Sequence, residues 1–314
     1  MGTGTSVAHV DDDSSQIPNE VIGMTSFNGK VLIYTKQNYV EVRSKSEVIS
    51  SRFLSLTPSC ACAIESETYI IGFQNGCISE FDSDLNLLMT YSLPGSTKAH
   101  SENVLCVASS KNCHLFSIGS DKVAHIWDST GTHIKSFTSK STYNVACCSS
   151  KYCWVSDTNS KISVIDLSTN TMTYPLDIRS NATSMAPLPN ETCCIAALDD
   201  GSVCILTALQ VIAQFTFSGR PKPIRSICPL KVDNTTGLIS YVAVDSDGVL
   251  TLRALECIVS EIGACKPFFA ATKDEIIVLM NDHISRYSRA QLEEESVKDL
   301  GRLELPRKQI VQFL

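Results

Sequence analysis

Long apolar stretches are missing from this sequence: no hydrophobic run approaches the roughly 18 residues that a membrane-spanning helix needs. The N-terminal stretch MGTGTSVAHVDDDSSQ also lacks the basic region and the apolar core of a secretory signal. Positive charge is in the minority, with 26 Lys and Arg against 33 Asp and Glu, which opposes a general attraction to nucleic acid or anionic membranes. We therefore expect an intracellular protein, cytoplasmic and/or nuclear, with no membrane insertion and no direct DNA binding.

Sequence motifs for catalysis and metal binding are also absent. The patterns HExxH, GxSxG, GxGxxG and the phosphate-binding P-loop do not occur. There is no CxxC pair, and Cys60-x-Cys62 has no second pair at zinc-finger spacing. We therefore expect no enzymatic activity, no metal site and no cofactor. The 14 cysteines are expected to be free thiols that act mainly as small core residues.

The sequence is rich in apolar residues and in residue pairs typical of tight turns. Hydrophobic residues make up 43% of the chain and charged residues 19%, a composition typical of a folded protein with a large core. Short alternating segments typical of strands outnumber helical patterns. Turn pairs that tolerate positive φ separate these segments, namely Asn28-Gly29, Asn75-Gly76, Asp200-Gly201 and Asp247-Gly248.

The strand-like segments form a repeat. Seven of them have a similar alternating pattern: 39–43, 77–82, 123–128, 162–167, 202–207, 249–254 and 283–288. Their spacing averages about 41 residues, within the roughly 40–45 residues of a four-stranded propeller blade. When the segments are aligned on Trp127, the predicted equivalent residues are Val42, Phe81, Ile165, Leu206, Arg253 and Tyr287.

One repeat, at about 100–138, carries a family signature. It opens with HSENV (100–104) and continues with LFSIGSDKVAHIWD (115–128), and this pattern resembles the WD-repeat family. Phe81-Asp82 and Ile165-Asp166 are relaxed versions of its Trp-Asp pair. The resemblance implies a structural tetrad of hydrogen-bonded side chains that holds the strands of one blade together and gives no information on what the protein binds: His100, Ser117, Asp121 and Trp127.

The repeat and the resemblance together predict an all-β fold. We expect a seven-bladed β-propeller of four-stranded antiparallel blades, a single domain over 1–314, closed by a terminal strand because closure removes free sheet edges. Two segments compete for the closing position, TSVAHV (5–10) and KQIVQFL (308–314). We also expect an N-terminal extension over 1–19 and a short acidic helical insertion at about 288–299, which is either a solvated cap or a docking helix.

Charged loops provide the candidate partner-binding residues. If the strands of a blade are lettered a to d from the axis outward, the b–c turns and d–a loops lie on one face. The b–c turns are rich in Asp and the d–a loops in Lys and Arg. Asp is common in turns for local hydrogen bonding, so either turn chemistry or a polar recognition face explains the pattern. In the recognition reading, the proline-stiffened loop SGRPKPIR (218–225) suits an acidic or phosphorylated peptide. The candidates are Arg179, Arg220, Lys222, Arg225, Asp199, Asp245 and Asp282.

These observations favour a non-enzymatic scaffold or adaptor, a monomeric propeller within a complex that binds other proteins or peptide segments. An alternative is a constitutive subunit of a larger intracellular assembly, for example in ubiquitin handling, ribosome or RNA processing, or trafficking. A propeller that binds a small ligand or a substrate in its central channel would need convergent polar side chains on the a strands. The small, cysteine-rich a strands disfavour that third possibility.

Overall fold

The structure is a ring of seven antiparallel sheets, and it confirms the predicted seven-bladed β-propeller. The computed structural model describes residues 9–13, 17–45, 47–64, 67–110, 115–216, 222–233, 238–254, 257–266, 268–280 and 283–298. The inner strands of neighbouring blades contact each other around the axis. Within these described segments, no helix is long and apolar enough to cross a membrane.

Each of the first four blades is built from consecutive strands of the chain. Blade 1 contains β2 (Val21–Phe27), β3 (Lys30–Thr35), β4 (Tyr39–Ser44) and β5 (Glu47–Phe53). Blade 2 contains β6 (Pro58–Ile64), β7 (Thr68–Phe73), β8 (Ile78–Phe81) and β9 (Leu87–Tyr91). Blade 3 contains β10 (Val104–Ser109), β11 (Leu115–Gly119), β12 (Val123–Trp127) and β13 (His133–Thr138). Blade 4 contains β14 (Tyr143–Cys148), β15 (Tyr152–Asp157) and β16 (Lys161–Asp166). Its outer strand is divided into two short segments that both pair with β16, β17 (Thr171–Met172) and β18 (Leu176–Asp177).

The remaining blades follow the same order, with one exception at the ring closure. Blade 5 contains β19 (Ala182–Pro187), β20 (Cys194–Leu198), β21 (Val203–Leu206) and β22 (Val211–Phe215). Blade 6 contains β23 (Ile224–Asp233), β24 (Leu238–Asp245), β25 (Val249–Ala254) and β26 (Cys257–Ala264). Blade 7 takes β27 (Phe269–Ala271), β28 (Glu275–Leu279) and β29 (Ile284–Ser288) from the end of the described chain and β1 (His9–Asp13) from its start.

The ring is closed by β1, which pairs antiparallel with β29 and forms the outer strand of blade 7. It overlaps the candidate TSVAHV only at His9 and Val10, and it continues to Asp13. The other candidate, KQIVQFL, lies outside the described residues. Part of the expected N-terminal extension over 1–19 is therefore a strand of the propeller.

The seven repeated segments are the c strands of the seven blades. Each of the first six c strands follows a turn residue with positive φ, five positions before the equivalent of Trp127: Asn38, Gly76, Lys122, Ser160, Gly201 and Gly248. In blade 1 this register places Arg43, rather than Val42, at the position of Trp127. The position of the β-bulge supports this register, because the bulge lies between Val42 and Arg43 in blade 1 and between Ile126 and Trp127 in blade 3. The aligned residue in blade 1 was therefore wrong by one position.

The core is divided into layers between adjacent blades. The layer between blades 2 and 3, for example, contains Ile70, Tyr91, Val104 and Trp127. Small polar side chains join the a strands across these boundaries: the Ser59 hydroxyl donates to the Val104 carbonyl at 2.6 Å, and the Cys106 thiol lies 3.5 Å from the Ala146 carbonyl. The thiols and hydroxyls of the a strands therefore act as interblade donors as well as small packing groups.

Helix α1 (Arg289–Lys298) follows β29 within the stretch that was expected to be helical. Leu292 is buried in the layer between blades 6 and 7. The Arg289 guanidinium donates to the carbonyls of Pro229 and Leu230 at 2.8 and 2.9 Å. One side of the helix is thus attached to blade 6.

Candidate functional site

The four side chains of the predicted tetrad are adjacent in blade 3. Trp127 Nε1 donates to Ser117 Oγ at 3.0 Å, and Ser117 Oγ lies 2.9 Å from His100 Nε2. His100 Nδ1 lies 3.1 Å from Asp121 Oδ1. Because an ionised carboxylate only accepts hydrogen bonds, His100 Nδ1 carries a proton and donates to Asp121. The chain of hydrogen bonds thus joins the c strand and the b strand to the loop before the a strand, and it ends on Asp121 in the b–c turn.

The Asp121 carboxylate also holds the turn in which it lies. It accepts the amides of Val123 at 3.1 Å and Ser101 at 3.0 Å. Burial alone would raise the pKa of this carboxyl, but the hydrogen bond and charge of His100 and the two amides lower it below its ordinary value. Gly119 leaves room for this contact, since a Cβ there would lie 2.5 Å from both Asp121 Oδ1 and His100 Nδ1.

His125, which the sequence analysis did not single out, lies beside the tetrad. It is 3% exposed, and its ring centroid is 4.6 Å from that of His100 and 5.6 Å from that of Trp127. Its Nδ1 is 3.0 Å from Ser136 Oγ and 3.3 Å from His133 Nε2. Burial, followed by the neighbouring charges of His100 and His133, lowers the pKa of His125 to about 3. The imidazole is therefore neutral at physiological pH.

Blade 1 contains a different polar network at the same place. Arg43 Nε donates to Glu41 Oε1 at 2.5 Å, and the Tyr39 hydroxyl donates to Glu41 Oε2 at 3.0 Å. Arg43 and Glu41 are each 2% exposed. In blade 6 the equivalent residue is Arg253, also buried, whose Nε donates to Thr251 Oγ1 at 2.7 Å. These networks are structural, because their polar atoms are directed into the blades.

The predicted partner-binding residues have varied surroundings. Asp245 is 8% exposed, and its Oδ1 accepts the amides of Asp247 and Val249 at 2.9 and 3.0 Å. It therefore stabilises its own turn. Lys222 Nζ forms a 2.5 Å ion pair with Asp247, and Arg225 is exposed.

Blade 5 carries two more of these residues. Arg179 donates to Thr216 Oγ1 at 3.2 Å, and the Asp199 carboxylate accepts from the Ser180 hydroxyl and the Asn181 amide. The last two candidates, Arg220 and Asp282, lie outside the described residues. Much of the charge on this face is thus committed to turns and local pairs.

Exposed apolar side chains mark another surface. Eight large apolar residues of the described chain are exposed, and six of them lie on the outer strands of blades 1 to 3: Val48, Ile49, Phe53, Leu87, Leu88 and Ile134. We call these six residues the rim patch. Contiguous exposed apolar residues are a feature of interaction surfaces, whereas singly scattered ones need no explanation. Phe53 and Leu87 of the rim patch line the same cleft.

A cleft opens beside the rim patch between blades 1 and 2. Its volume is about 370 Å³. It is lined by Arg52, Phe53, Leu54, Ser55, Leu56, Phe73, Cys77, Ser79, Phe81, Leu87 and Thr90. A second cleft of about 540 Å³ lies between blades 4 and 5, and its lining is richer in hydroxyl groups, including those of Tyr152, Thr171, Thr173, Thr192 and Thr207. Sequence analysis missed both clefts.

Comparison with known proteins supports the fold. No protein family and no curated protein matches the sequence. The structure of U3-55K is similar with a TM-score of 0.71, 11% identity and coverage of 90% of this chain and 100% of that chain. The structure of the RRP9 WD40 repeats is similar with a TM-score of 0.72 and 11% identity, and the match covers 91% of this chain and 99% of that chain. The chain shares the seven-bladed β-propeller fold of these structures.

The shared propeller fold accounts for the repeating blades and for the turn before each of the first six c strands. At 11% identity the similarity extends to the fold alone, so function has to be argued from the surface of this propeller. In the rim patch, exposed apolar side chains border a cleft.

Proposed function

We propose that this propeller is a non-enzymatic interaction scaffold that binds segments of partner proteins at the rim of blades 1 to 3. The observation that carries the proposal is the rim patch, six of the eight large exposed apolar side chains in the described residues. Covering apolar surface contributes roughly 25 cal/mol per Å². A partner that covers these side chains therefore gains binding energy without any chemical step.

The polar clusters of the described residues support a structural rather than a catalytic role. His100 and Asp121 bind each other and their own turn, and His125 is almost completely buried beside them. In the described part of the chain, no group of three or more His, Cys, Asp or Glu side chains is arranged to hold a metal ion.

We also propose that the protein works inside the cell. The twelve cysteines whose side chains the structure describes are free thiols, and disulfides are typical of secreted proteins of oxidising compartments. The charged face with Arg179, Lys222 and Arg225 is a second proposed contact surface for a partner of mixed charge. We consider this charged face a weaker candidate for partner binding than the rim patch, because Lys222 already forms an ion pair with Asp247.

Affinity purification from cell lysate, followed by mass spectrometry, tests the proposal. We expect the wild-type protein to retain a stoichiometric set of partners, and a Phe53→Ser/Leu87→Ser variant to lose them. A matched control is Tyr174→Ser/Leu209→Ser, which changes two residues that are 94% and 80% exposed outside the rim patch. Recovery of the wild-type protein alone, or equal partner loss in both double variants, would contradict a rim interface.

A further inference from the structure

We propose that the cleft between blades 1 and 2 binds a peptide segment in which a large apolar side chain stands next to a carboxylate. This inference rests on the proposed function and specifies the partner chemistry at the same rim. The apolar side chain would enter the cleft, and the carboxylate would bind the Arg52 guanidinium at its mouth.

The apolar part of the argument comes from the walls of the cleft. Phe73 and Phe81 of blade 2 are buried at its base, and Leu54 of blade 1 is half-buried on the opposite wall. At the mouth, Phe53 is 72% and Leu87 is 56% exposed. An inserted apolar side chain would contact buried aromatic rings and would cover both exposed side chains.

Size limits the occupant to a small number of side chains. The volume of about 370 Å³ is at the low end of the roughly 300–1,000 Å³ that is usual for ligand sites. A short anchor segment fits this space, whereas the flat contact of a folded domain would leave it unfilled. A protein partner would therefore use one or two projecting side chains here.

The two blades are tied together next to the cleft. Ser50 Oγ donates to the Asp84 carbonyl at 2.9 Å, and Arg52 Nη1 donates to the Leu85 carbonyl at 2.8 Å. Leu85 itself is buried and has a φ of 62° in the c–d turn of blade 2. These bonds fix the outer strand of blade 1 against blade 2, so the cleft is already formed before a ligand arrives. Preformed sites bind more tightly because less ordering is needed.

Charge specifies the second part of the ligand. Arg52 is the one charged residue among those that line the cleft, and it is exposed. A guanidinium has five N–H donors, and its hydrogen bond to the Leu85 carbonyl uses one of them. The nearby Asp82 carboxylate accepts the backbone amides of Asp84 and Asn86 and the side-chain amide of Asn86. The charge of Arg52 helps to lower the pKa of Asp82, but no hydrogen bond joins these two described side chains. The remaining donors of Arg52 suit a carboxylate of the ligand, because charge-assisted bonds are the stronger ones.

The larger cleft between blades 4 and 5 can be compared with the cleft between blades 1 and 2. Its one charged lining residue is Asp166, an anion that would repel a ligand carboxylate. Leu209 on its wall is 80% exposed, so apolar exposure occurs at both clefts. The sign of the charge distinguishes them, and the same peptide should bind only between blades 1 and 2.

Fluorescence polarisation with labelled peptides tests the inference on the full chain. The probes are GSGEFLGSG and its reversed form GSGLFEGSG, the charge-reversed GSGKFLGSG, and GSGEAAGSG, which lacks the apolar anchor. We expect binding of at least one Glu-containing anchor peptide, affinity about tenfold weaker for the Lys peptide, and no binding of the Ala peptide.

Variants locate the site and separate its two parts. Leu87→Ser should abolish binding and Leu209→Ser should leave it unchanged. Arg52→Gln should remove the preference for Glu over Lys, whereas Arg52→Lys should keep it; circular dichroism checks that each variant is folded. Equal affinity for Glu and Lys peptides, or no effect of Leu87→Ser, would overturn the inference. If no peptide binds but Phe53→Ser/Leu87→Ser still loses cellular partners, the scaffold function stands and this ligand chemistry is wrong.

Discussion

Blades 1 and 3 use different side chains at the same position of the same strand. In blade 3, Trp127 belongs to a chain of hydrogen bonds that ends on Asp121. In blade 1 the equivalent Arg43 forms a buried ion pair with Glu41. The β-bulge and the positive-φ turn are common to both blades. The backbone of the repeat is therefore kept while its polar network changes.

The comparison shows what a blade requires at this position. Both solutions place a polar group in the interior and provide it with a partner, because an unsatisfied buried group costs stability. The two networks differ in how much stability is lost when the partner is removed. Trp127 has one N–H on an apolar body, whereas Arg43 and Glu41 each carry a full charge, so loss of a partner should harm blade 1 more.

The largest expected effect is therefore in blade 1. Arg43→Met leaves the Glu41 carboxylate buried without its cation, and we expect the free energy of unfolding to fall by about 3–5 kcal/mol. Urea unfolding followed by circular dichroism measures this change. The double variant Arg43→Met/Glu41→Met removes both charges and should recover much of the loss. A single variant within about 1 kcal/mol of the wild type would show that the pair is not the main support of this blade.

A smaller loss is expected when the carboxylate of blade 3 is removed. Asp121→Ala takes away the acceptor of His100 and of two backbone amides, which predicts a loss of about 2–3 kcal/mol. Asp128→Ala is the matched control, because that carboxylate accepts the amides of Thr130 and Thr132 in an exposed turn; we expect about 1 kcal/mol there. If the two variants lost equal stability, the tetrad would add nothing beyond an ordinary turn.

These two blades also show how far sequence reasoning extends. Alternation located all seven c strands, and turn glycines precede three of them, at Gly76, Gly201 and Gly248; both signals depend on local backbone chemistry. The sequence alignment placed Val42 instead of Arg43 at the position of Trp127 in blade 1. An arginine is stable at this buried position because it pairs with Glu41, and the sequence alone does not show that contact. The cleft was missed because Arg52 and Leu87, more than thirty residues apart in the sequence, are brought together only by the packing of neighbouring blades.

Acid should act on blade 3, because the network of blade 1 contains no histidine. The pKa of His125 is about 3 in the folded protein and about 6.5 in an unfolded chain. Below pH 6.5 the unfolded chain binds a proton that the folded state does not, so the free energy of unfolding falls as pH falls, until the pH reaches about 3.

Between pH 7 and pH 5 this single group predicts a loss of about 2 kcal/mol. The lowered pKa of Asp121 acts only below its ordinary value of 3.8 and does not contribute in this range. Urea midpoints at pH 7, 6 and 5 measure the slope. His125→Gln should flatten it, and His283→Gln is the control that should keep it. An unchanged slope in His125→Gln would assign the acid sensitivity to another group.

The smallest effect is expected from removing a donor while keeping an aromatic ring. In Trp127→Phe, Ser117 Oγ loses one partner but keeps His100 Nε2 at 2.9 Å, and we expect a loss of about 1–2 kcal/mol. Blade 2 already has Phe81 at this position, 5% exposed, so a ring without an N–H is compatible with the strand. Urea unfolding of Trp127→Phe beside Arg43→Met compares the two blades directly. If Trp127→Phe cost as much as Arg43→Met, the donor would matter as much as a buried charge, and the distinction between the blades would fail.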